Sequence, residues 1–286
     1  MRFARASVGG QTVFGVVKEA QLIDLRDSFA NVIDLVELSM SESGRSTIES
    51  ALFGSPSVPL DRAVMLPPIA APKRILCVGT NYSAHVAESD TVTEAPGHPM
   101  IFTRFASSLV GHNVPIERPH VSSNFDYEGE LAIVIGRSTR YADRDNALDA
   151  IAGYSLLMDG TLRDYQRHTK QFTPGKNFER SGSWGPHIVT ADEVGDPYKL
   201  HLSTKVDDVE VQSAATTQLI FDLEAIVSYC SAFTTLEPGD VIATGTPGGV
   251  GYARDPQLWL EPGMTVTVEV PGVGTLTNEV IDEVVS

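Results

Sequence analysis

Glu128, Gly129 and Glu130 close the first half of the stretch N-F-D-Y-E-G-E-L-A-I-V-I-G-R, residues 124–137. Leu131 to Ile135 is a short apolar run rich in branched residues and closed by Gly136. That is the pattern of a strand buried on both faces. Side chains two apart on a strand share a face, so Glu128 and Glu130 are expected side by side at its mouth. Carboxylates held that close repel unless a proton, an Arg or Lys, or a metal ion lies between them. Asp159 is the first candidate to join them, because it also ends an apolar run, Tyr154 to Met158. Three carboxylates make an all-oxygen set. Hard cations such as Mg²⁺, Mn²⁺ or Ca²⁺ prefer oxygen, whereas Zn²⁺ more often brings His or Cys. The competing readings are solvated strand-end carboxylates, or neutralisation by Arg163.

His85 and Glu88 are spaced to share a face of one helical turn. A carboxylate beside an imidazole orients it and raises its basicity, which suits a general base acting on water. A surface His–Glu pair is the alternative. In Thr161-Leu162-Arg163-Asp164-Tyr165-Gln166, Arg163 can hold Asp159 or a substrate carboxylate, and Gln166 can hydrogen-bond a substrate oxygen. Lys176, in Pro174-Gly175-Lys176-Asn177-Phe178, can bring positive charge onto an enolate or simply be solvated. The segment 243–251, A-T-G-T-P-G-G-V-G, lets backbone approach a ligand closely or makes a tight turn. It lacks the phosphate-loop spacing, and no strand–G-x-G-x-x-G–helix unit appears, so nucleotide binding is not expected.

These residues need a frame. The 286 residues suffice for one large domain or one domain plus a small one. A hydrophobic content of 42% with 20% charged residues fits an ordinary globular protein. The net charge of −16 argues against nucleic acid or anionic membrane as a partner. A small anionic substrate stays open, because a local metal or Lys overrides the global field. Cys77 and Cys230 both lie in apolar stretches and read as buried thiols, without a disulfide framework. There is no apolar signal core, and no stretch approaches the ~18 apolar residues of a membrane span. The cytoplasm is the expected compartment.

Residues 1–68 read as a small N-terminal α+β unit, with strands at 13–17 and 21–25 and short helices near 32–36 and 48–52. Prolines 59, 67, 68 and 72 mark a connector. Residues 69–286 read as the larger domain. It has strands at 74–78, 100–102, 131–135, 200–206, 241–244 and 264–270, a helical turn at 83–88 and a helix within 219–233. Loops are expected at 89–99 and 167–186. Many short strands with few helices give a mainly β fold with peripheral helices, a barrel or folded sheet.

The order of the blocks is more specific than any one of them. N-Y-x-x-H-x-x-E at 81–88, D-Y-E-x-E-L-A-x-V-I-G at 126–136 and D-x-T-x-R-D-x-Q at 159–166 come first. A K-x-F block from Lys176, ending at Gly185-Pro186, and G-D-V-I-A-T-G-T-P-x-G-V-G at 239–251 follow. Over about residues 73–283 this series resembles the fumarylacetoacetate hydrolase family. The resemblance implies a mixed β-sandwich or roll, a homodimer, a divalent ion (commonly Mg²⁺) and substrates built on a 2-oxo acid. By motif it implies Glu128, Glu130 and Asp159 as metal ligands. It also implies His85 and Glu88 as a water-activating pair on a lid, and Arg163, Gln166, Lys176 and Thr246 as substrate or enolate contacts.

The reaction expected from this is hydrolysis of the C3–C4 bond of a 2,4-dioxo acid, an acylpyruvate such as fumarylpyruvate. Water deprotonated by His85 attacks C4, and Lys176 faces the departing pyruvate enolate. Oxaloacetate decarboxylation, isomerisation of 2-hydroxyhepta-2,4-diene-1,7-dioate and oxo-acid hydration are alternatives on the same site, and an inactive metal-binding scaffold is a further one. The sequence departs from the family pattern at Arg104-Phe105, at Gly160-Thr161-Leu162 and at Phe178-Glu179. These departures fall on the distal part of the substrate pocket, expected from the loops at 89–99, 104–108 and 167–184.

Overall fold

The strand Gly129–Ile135 is buried along its whole length. In the computed structural model, which describes residues 1–88 and 97–285, it pairs antiparallel with Ile151–Met158 and with Val241–Ala243. Its alternate side chains enter two different cores. Leu131, Ile133 and Ile135 join one, and Ala132 and Val134 the other. Branched residues tolerate this environment because a pleated backbone buried on both sides has no polar face to accommodate.

This strand belongs to a mixed sheet of twelve strands. From one edge the main path runs Ser57–Pro59, Gln21–Asp24, Gln11–Lys18, Arg2–Val8 and Gly182–Thr190. It continues through Ile151–Met158, Gly129–Ile135, Val241–Ala243, Ile75–Gly79 and Met100–Thr103. Neighbours along this path are antiparallel except at Val241–Ala243 beside Ile75–Gly79, and off the path Leu109–Val110 pairs parallel with Gly182–Thr190. Residues 1–68 contribute to this same sheet, because Arg2 and Phe3 register with Val189 and Ile188.

A second sheet of five strands runs Val209–Ala215, His201–Val206, Thr265–Val270, Gly274–Asp282 and Ile116–Arg118. It packs on the first, and Leu202, Val268 and Leu276 share a core with Leu131 and Leu156. The two sheets approach closely at Gly129. A Cβ there would lie 2.1 Å from Thr204 Oγ1 and 3.2 Å from the Val268 methyls. Glycine between the two glutamates is thus a requirement of sheet packing. Helices Val32–Ser39 and Glu42–Leu52 cover the outer face of the large sheet through Leu35, Val36 and Ile48. Helix Leu223–Phe233 packs on the inner core through Leu223, Ile226, Val227 and Cys230. The fold is the expected mixed β architecture with peripheral helices. Among the described residues no helix is long and apolar enough to cross a membrane.

The loop expected over 167–186 needs correction. Thr173–Lys176 is a short helix, and Gly182–Thr190 is a central strand. The run S-G-S-W-G-P-H-I-V-T lacks strand character because Gly185 and Pro186 interrupt it. An irregularity in the ladder between Tyr154 and Leu156 absorbs them, the usual way a sheet accepts proline. Of the loop expected at 89–99, residues 89–96 lie outside the described residues.

Candidate metal centre

Register brings the three carboxylates together. Gly129 pairs with Met158 and Glu130 with Leu157, so the strand that begins after Glu128 lies against the one that ends before Asp159. The Asp159 amide donates to the Glu128 carbonyl at 2.8 Å. Beyond this point Phe125 and Asp126 pair with Leu162 and Thr161, which fixes both strand ends. Glu128, Glu130 and Asp159 are at most 4% exposed, and one carboxylate oxygen from each lies within 4.8 Å of the others.

Cations surround this set. Lys176 Nζ, itself buried, donates to Glu128 Oε2 at 2.5 Å and to Asp159 Oδ2 at 2.6 Å. Arg104 Nη1 donates to Asp159 Oδ1 at 2.5 Å and to the Gly160 carbonyl at 3.1 Å. Arg163 Nε donates to Asp126 Oδ2 at 2.7 Å. Its Nη2 forms an ion pair with Glu128 Oε1 at 2.6 Å, too oblique for a hydrogen bond. Burial pushes the Glu128 carboxyl up, but Lys176 and Arg163 outweigh it and hold the group at about 2. Burial together with Asp159 and Glu128 pushes Glu130 well above the carboxylate range. Burial lowers Lys176, yet Asp159 and Glu128 outweigh it and the ammonium stays above its ordinary value.

With all four buried carboxylates ionised, Asp126 included, the set faces three cations and carries one net negative charge, a state that the raised Glu130 carboxyl resists until a cation arrives. A divalent ion would reverse that to one positive charge, matched to an anionic ligand. The donor set is all oxygen, so the residues fit a hard divalent cation. They would hold it through Glu128, Glu130 and Asp159.

The glycine-rich segment supplies backbone donors to the carboxylates. Gly245 N–H donates to Glu130 Oε2 at 2.8 Å, and Gly249 N–H to Glu88 Oε1 at 2.7 Å. Gly251 and Tyr252 N–H donate to the two oxygens of Asp126. Gly249 adopts φ +102°, and a Cβ there would lie 2.0 Å from the Val211 carbonyl, so only glycine fits. The close backbone approach expected from the sequence is therefore an approach to the protein's own acids.

His85 is buried in the helix Ser83–Ala87, and Glu88 caps that helix. His85 Nδ1 lies 3.7 Å from Glu88 Oε2. His85, Lys176, Arg163, Gln166 and Thr246 all line one cavity of about 70 Å³ with Glu128 and Glu130, room for several waters. Val78, Gly79, Phe102 and Phe172 make its apolar wall. Every site residue read from the sequence is thus gathered here, Glu88 and Asp159 through their partners. Two are more occupied than expected. Arg163 is tied to Asp126, to Glu128 and, through Nη1 at 3.0 Å, to Gln166 Oε1. The Thr246 hydroxyl donates to the Gly129 carbonyl at 3.0 Å and accepts from Gln212 Nε2 at 2.8 Å.

Sequence reasoning missed Arg104, Asp126, Arg167, Gln212 and Tyr252. Tyr252 stacks under both Arg163 and Arg167, their guanidinium carbons 4.6 and 4.7 Å from its ring centre. Its hydroxyl donates to the Glu88 carbonyl at 3.1 Å. Asp126 stood in the quoted motif with no role, and Arg167 follows Arg163 by one helical turn. Those were the signals available. Gln212 and Tyr252 have no local pattern that would have singled them out, and Arg104, noted only as a departure expected at the distal pocket, lies instead against Asp159 and does not line the cavity.

The family model described as fumarylacetoacetate (FAA) hydrolase C-terminal matches residues 74–281. The curated protein "Oxaloacetate tautomerase fahd2, mitochondrial" from Xenopus laevis is 39% identical over 248 residues, 85% of this chain and 77% of that protein. The structure of a fumarylacetoacetate hydrolase from Exiguobacterium antarcticum superposes with a TM-score of 0.85 at 34% identity, covering 99% of this chain and 100% of that one. Maleylpyruvate hydrolase from Sphingobium sp. SYK-6, solved with manganese(II) and pyruvate, gives a TM-score of 0.81 at 29% identity, with coverage of 99% and 100%. The motif order, the two-sheet fold and these matches agree: the chain belongs to the fumarylacetoacetate hydrolase family.

Proposed function

We propose that the protein moves a proton at C3 of a small 2-oxo diacid, interconverting the keto and enol forms of oxaloacetate with the help of a divalent ion. The observation that carries this reading is the sharing of one small cavity by His85, Lys176 and the carboxylate centre. A divalent ion bound there, proposed as Mg²⁺ with Mn²⁺ or Ca²⁺ as the alternatives, would supply positive charge for the 2-oxo and carboxylate oxygens. His85, backed by Glu88, takes the C3 proton as the electron pair moves into the C2–C3 bond. The charge that develops on the C2 oxygen faces Lys176. Two of the three ammonium hydrogens are used on Glu128 and Asp159, which leaves one for that oxygen. Return of a proton to the oxygen completes the enol. Preorganised charge of this kind is often the largest contribution to catalysis. The oxaloacetate tautomerase name of a relative spanning 85% of this chain supports the choice of substrate.

A second reading is hydrolysis of an acylpyruvate to pyruvate and a carboxylic acid. The His85–Glu88 pair favours it, since that pair is what activation of water needs, and so does the likeness to maleylpyruvate hydrolase. The two readings separate when the protein with Mg²⁺ is given oxaloacetate, acetylpyruvate or fumarylpyruvate and the products are identified by mass and ultraviolet absorbance. Faster loss of the oxaloacetate enol without cleavage supports tautomerisation. Pyruvate released together with acetate or fumarate moves the assignment to hydrolysis. A homodimer and a cytoplasmic location, implied respectively by the family resemblance and by the unpaired buried thiols, remain proposals; light scattering tests the first.

A further inference from the structure

We infer that the Thr80 hydroxyl is a specificity-determining contact for the far carboxylate of a diacid ligand. This inference rests on the reading of the cavity as a site for 2-oxo acids held by one end at the carboxylate centre, and it names a contact for the other end. Thr80 lines the cavity beside Val78 and Gly79, in the wall that Phe102 and Phe172 complete. Its Oγ1 is buried and has no hydrogen-bond partner among the described residues. A hydroxyl removed from water without a partner is costly, and a bound ligand that supplies the partner accounts for it. The hydroxyl can rotate to donate to a carboxylate oxygen.

The backbone is a second, independent sign. Thr80 adopts φ +52°, a left-handed conformation that is a genuine outlier for a β-branched residue and that glycine would take without strain. Its neighbours hold it there from both sides. Gly79 is paired with Met100 in the sheet. Asn81, fully buried, donates through Nδ2 to the Phe221 carbonyl at 3.0 Å and to the Thr244 carbonyl at 2.8 Å. Its Oδ1 accepts from Phe221 N–H at 2.7 Å, and its carbonyl from Ile220 N–H at 2.8 Å. Backbone strain persists only where the surroundings over-determine it, and it gathers at ligand sites. Strand order gives the end of the ligand that Thr80 meets. Thr80 follows Ile75–Gly79, and Val241–Ala243 separates that strand from Gly129–Ile135. At about 4.8 Å per strand, the Thr80 backbone stands roughly 10 Å from that of Glu130. A ligand anchored among the carboxylates therefore reaches Thr80 with its opposite end.

The test is calorimetry on the Mg²⁺-loaded protein with (S)-lactate and (S)-malate. Both are 2-hydroxy acids with the same chelating end, and only malate carries a second carboxylate. Thr80→Val removes the hydroxyl and keeps the β-branched shape. It is expected to weaken malate about tenfold, the scale of a hydrogen bond to a charged group, and to leave lactate within about twofold. Its Tm should not fall below that of the parent, because the unpaired hydroxyl is gone. Thr80→Ser, which keeps the hydroxyl, should bind malate within about threefold of the parent. Equal weakening of both acids by Thr80→Val, or of neither, overturns the inference, and so does a parent protein that binds malate no tighter than lactate. A lower Tm in Thr80→Val would assign the hydroxyl to the fold instead. Neither acid is a 2-oxo acid, so the result does not depend on the proposed reaction. A protein that leaves oxaloacetate unchanged but loses its preference for malate in Thr80→Val defeats the proposed function and upholds this contact.

Discussion

His85 Nδ1 lies 3.7 Å from Glu88 Oε2, and neither atom has a hydrogen-bond partner among the described residues. The other Glu88 oxygen is fixed by the Gly249 amide, and Tyr252 holds the Glu88 backbone. The carboxylate is therefore anchored on one side, with its second oxygen directed at an imidazole in the cavity wall. That is the arrangement of a base and the group that orients it. His85→Asn is expected to lower kcat by roughly 10²–10⁴, the usual scale of general-base catalysis. Glu88→Gln is expected to lower it less, because Gly249 and Tyr252 still hold the residue in place. Steady-state kinetics at saturating Mg²⁺ decides this, and full turnover in His85→Asn would remove the pair from the mechanism.

The three carboxylates should bind a divalent ion without any substrate. At 100 times its Kd an ion that binds only the folded state adds about 2.7 kcal/mol, roughly 5 °C in Tm for a chain of this size. Glu130→Gln and Asp159→Asn should each abolish most of that rise. Thermal unfolding with and without Mn²⁺ measures it, and an unchanged rise in both variants would place the ion elsewhere.

Arg104 should matter to stability as much as to activity. It is buried against Asp159, which has no exposure, and its remaining donors go to Gly160, Ser108 and Ser181. Arg104→Met leaves Asp159 with Lys176 as its only cationic side-chain partner among the described residues. Breaking a buried pair costs about 3–5 kcal/mol, and the lower end is expected here because Lys176 remains. Urea denaturation gives the value. A loss below about 0.5 kcal/mol would mean that the site relaxes around the missing charge.

Acid should unfold the protein partly through His187. Burial, reinforced by Arg2, lowers this imidazole from its ordinary value to about 4, despite the hydrogen bond of Nε2 to the Val273 carbonyl at 2.9 Å. The folded state therefore favours the neutral ring. Its stabilising effect is complete above about pH 6.5 and is lost as pH falls toward 4, about 3 kcal/mol in all. His187→Gln keeps a donor for Val273 and removes the titration. The difference in stability between pH 7 and pH 4.5 should be smaller in the variant than in the parent by about 2 kcal/mol. Equal differences would show that His187 charges freely in the fold.

What the sequence made legible follows from local pattern. Leu131 to Ile135 announced a strand buried on both faces, and that strand lies in the interior of the large sheet. Glu128 and Glu130 stand at the start of one apolar run and Asp159 at the end of another, and strand register brings them within reach. The strand Gly182–Thr190 escaped because Gly185 and Pro186 hide its period, and only its neighbours reveal it. Arg104 and Tyr252 escaped for a related reason. Their roles come from partners 55 residues away in one case and 89 or 85 in the other, so no local spacing points to them.

The central claim is proton transfer at C3 of oxaloacetate, dependent on the carboxylate centre. Its most direct measurement is the rate at which the enol of oxaloacetate converts to the keto form, followed by ultraviolet absorbance with Mg²⁺. The parent protein should accelerate this conversion in proportion to its concentration, and Glu130→Gln should return it to the rate of buffer with Mg²⁺ alone. No acceleration by the parent protein, or equal acceleration by Glu130→Gln, would contradict the account.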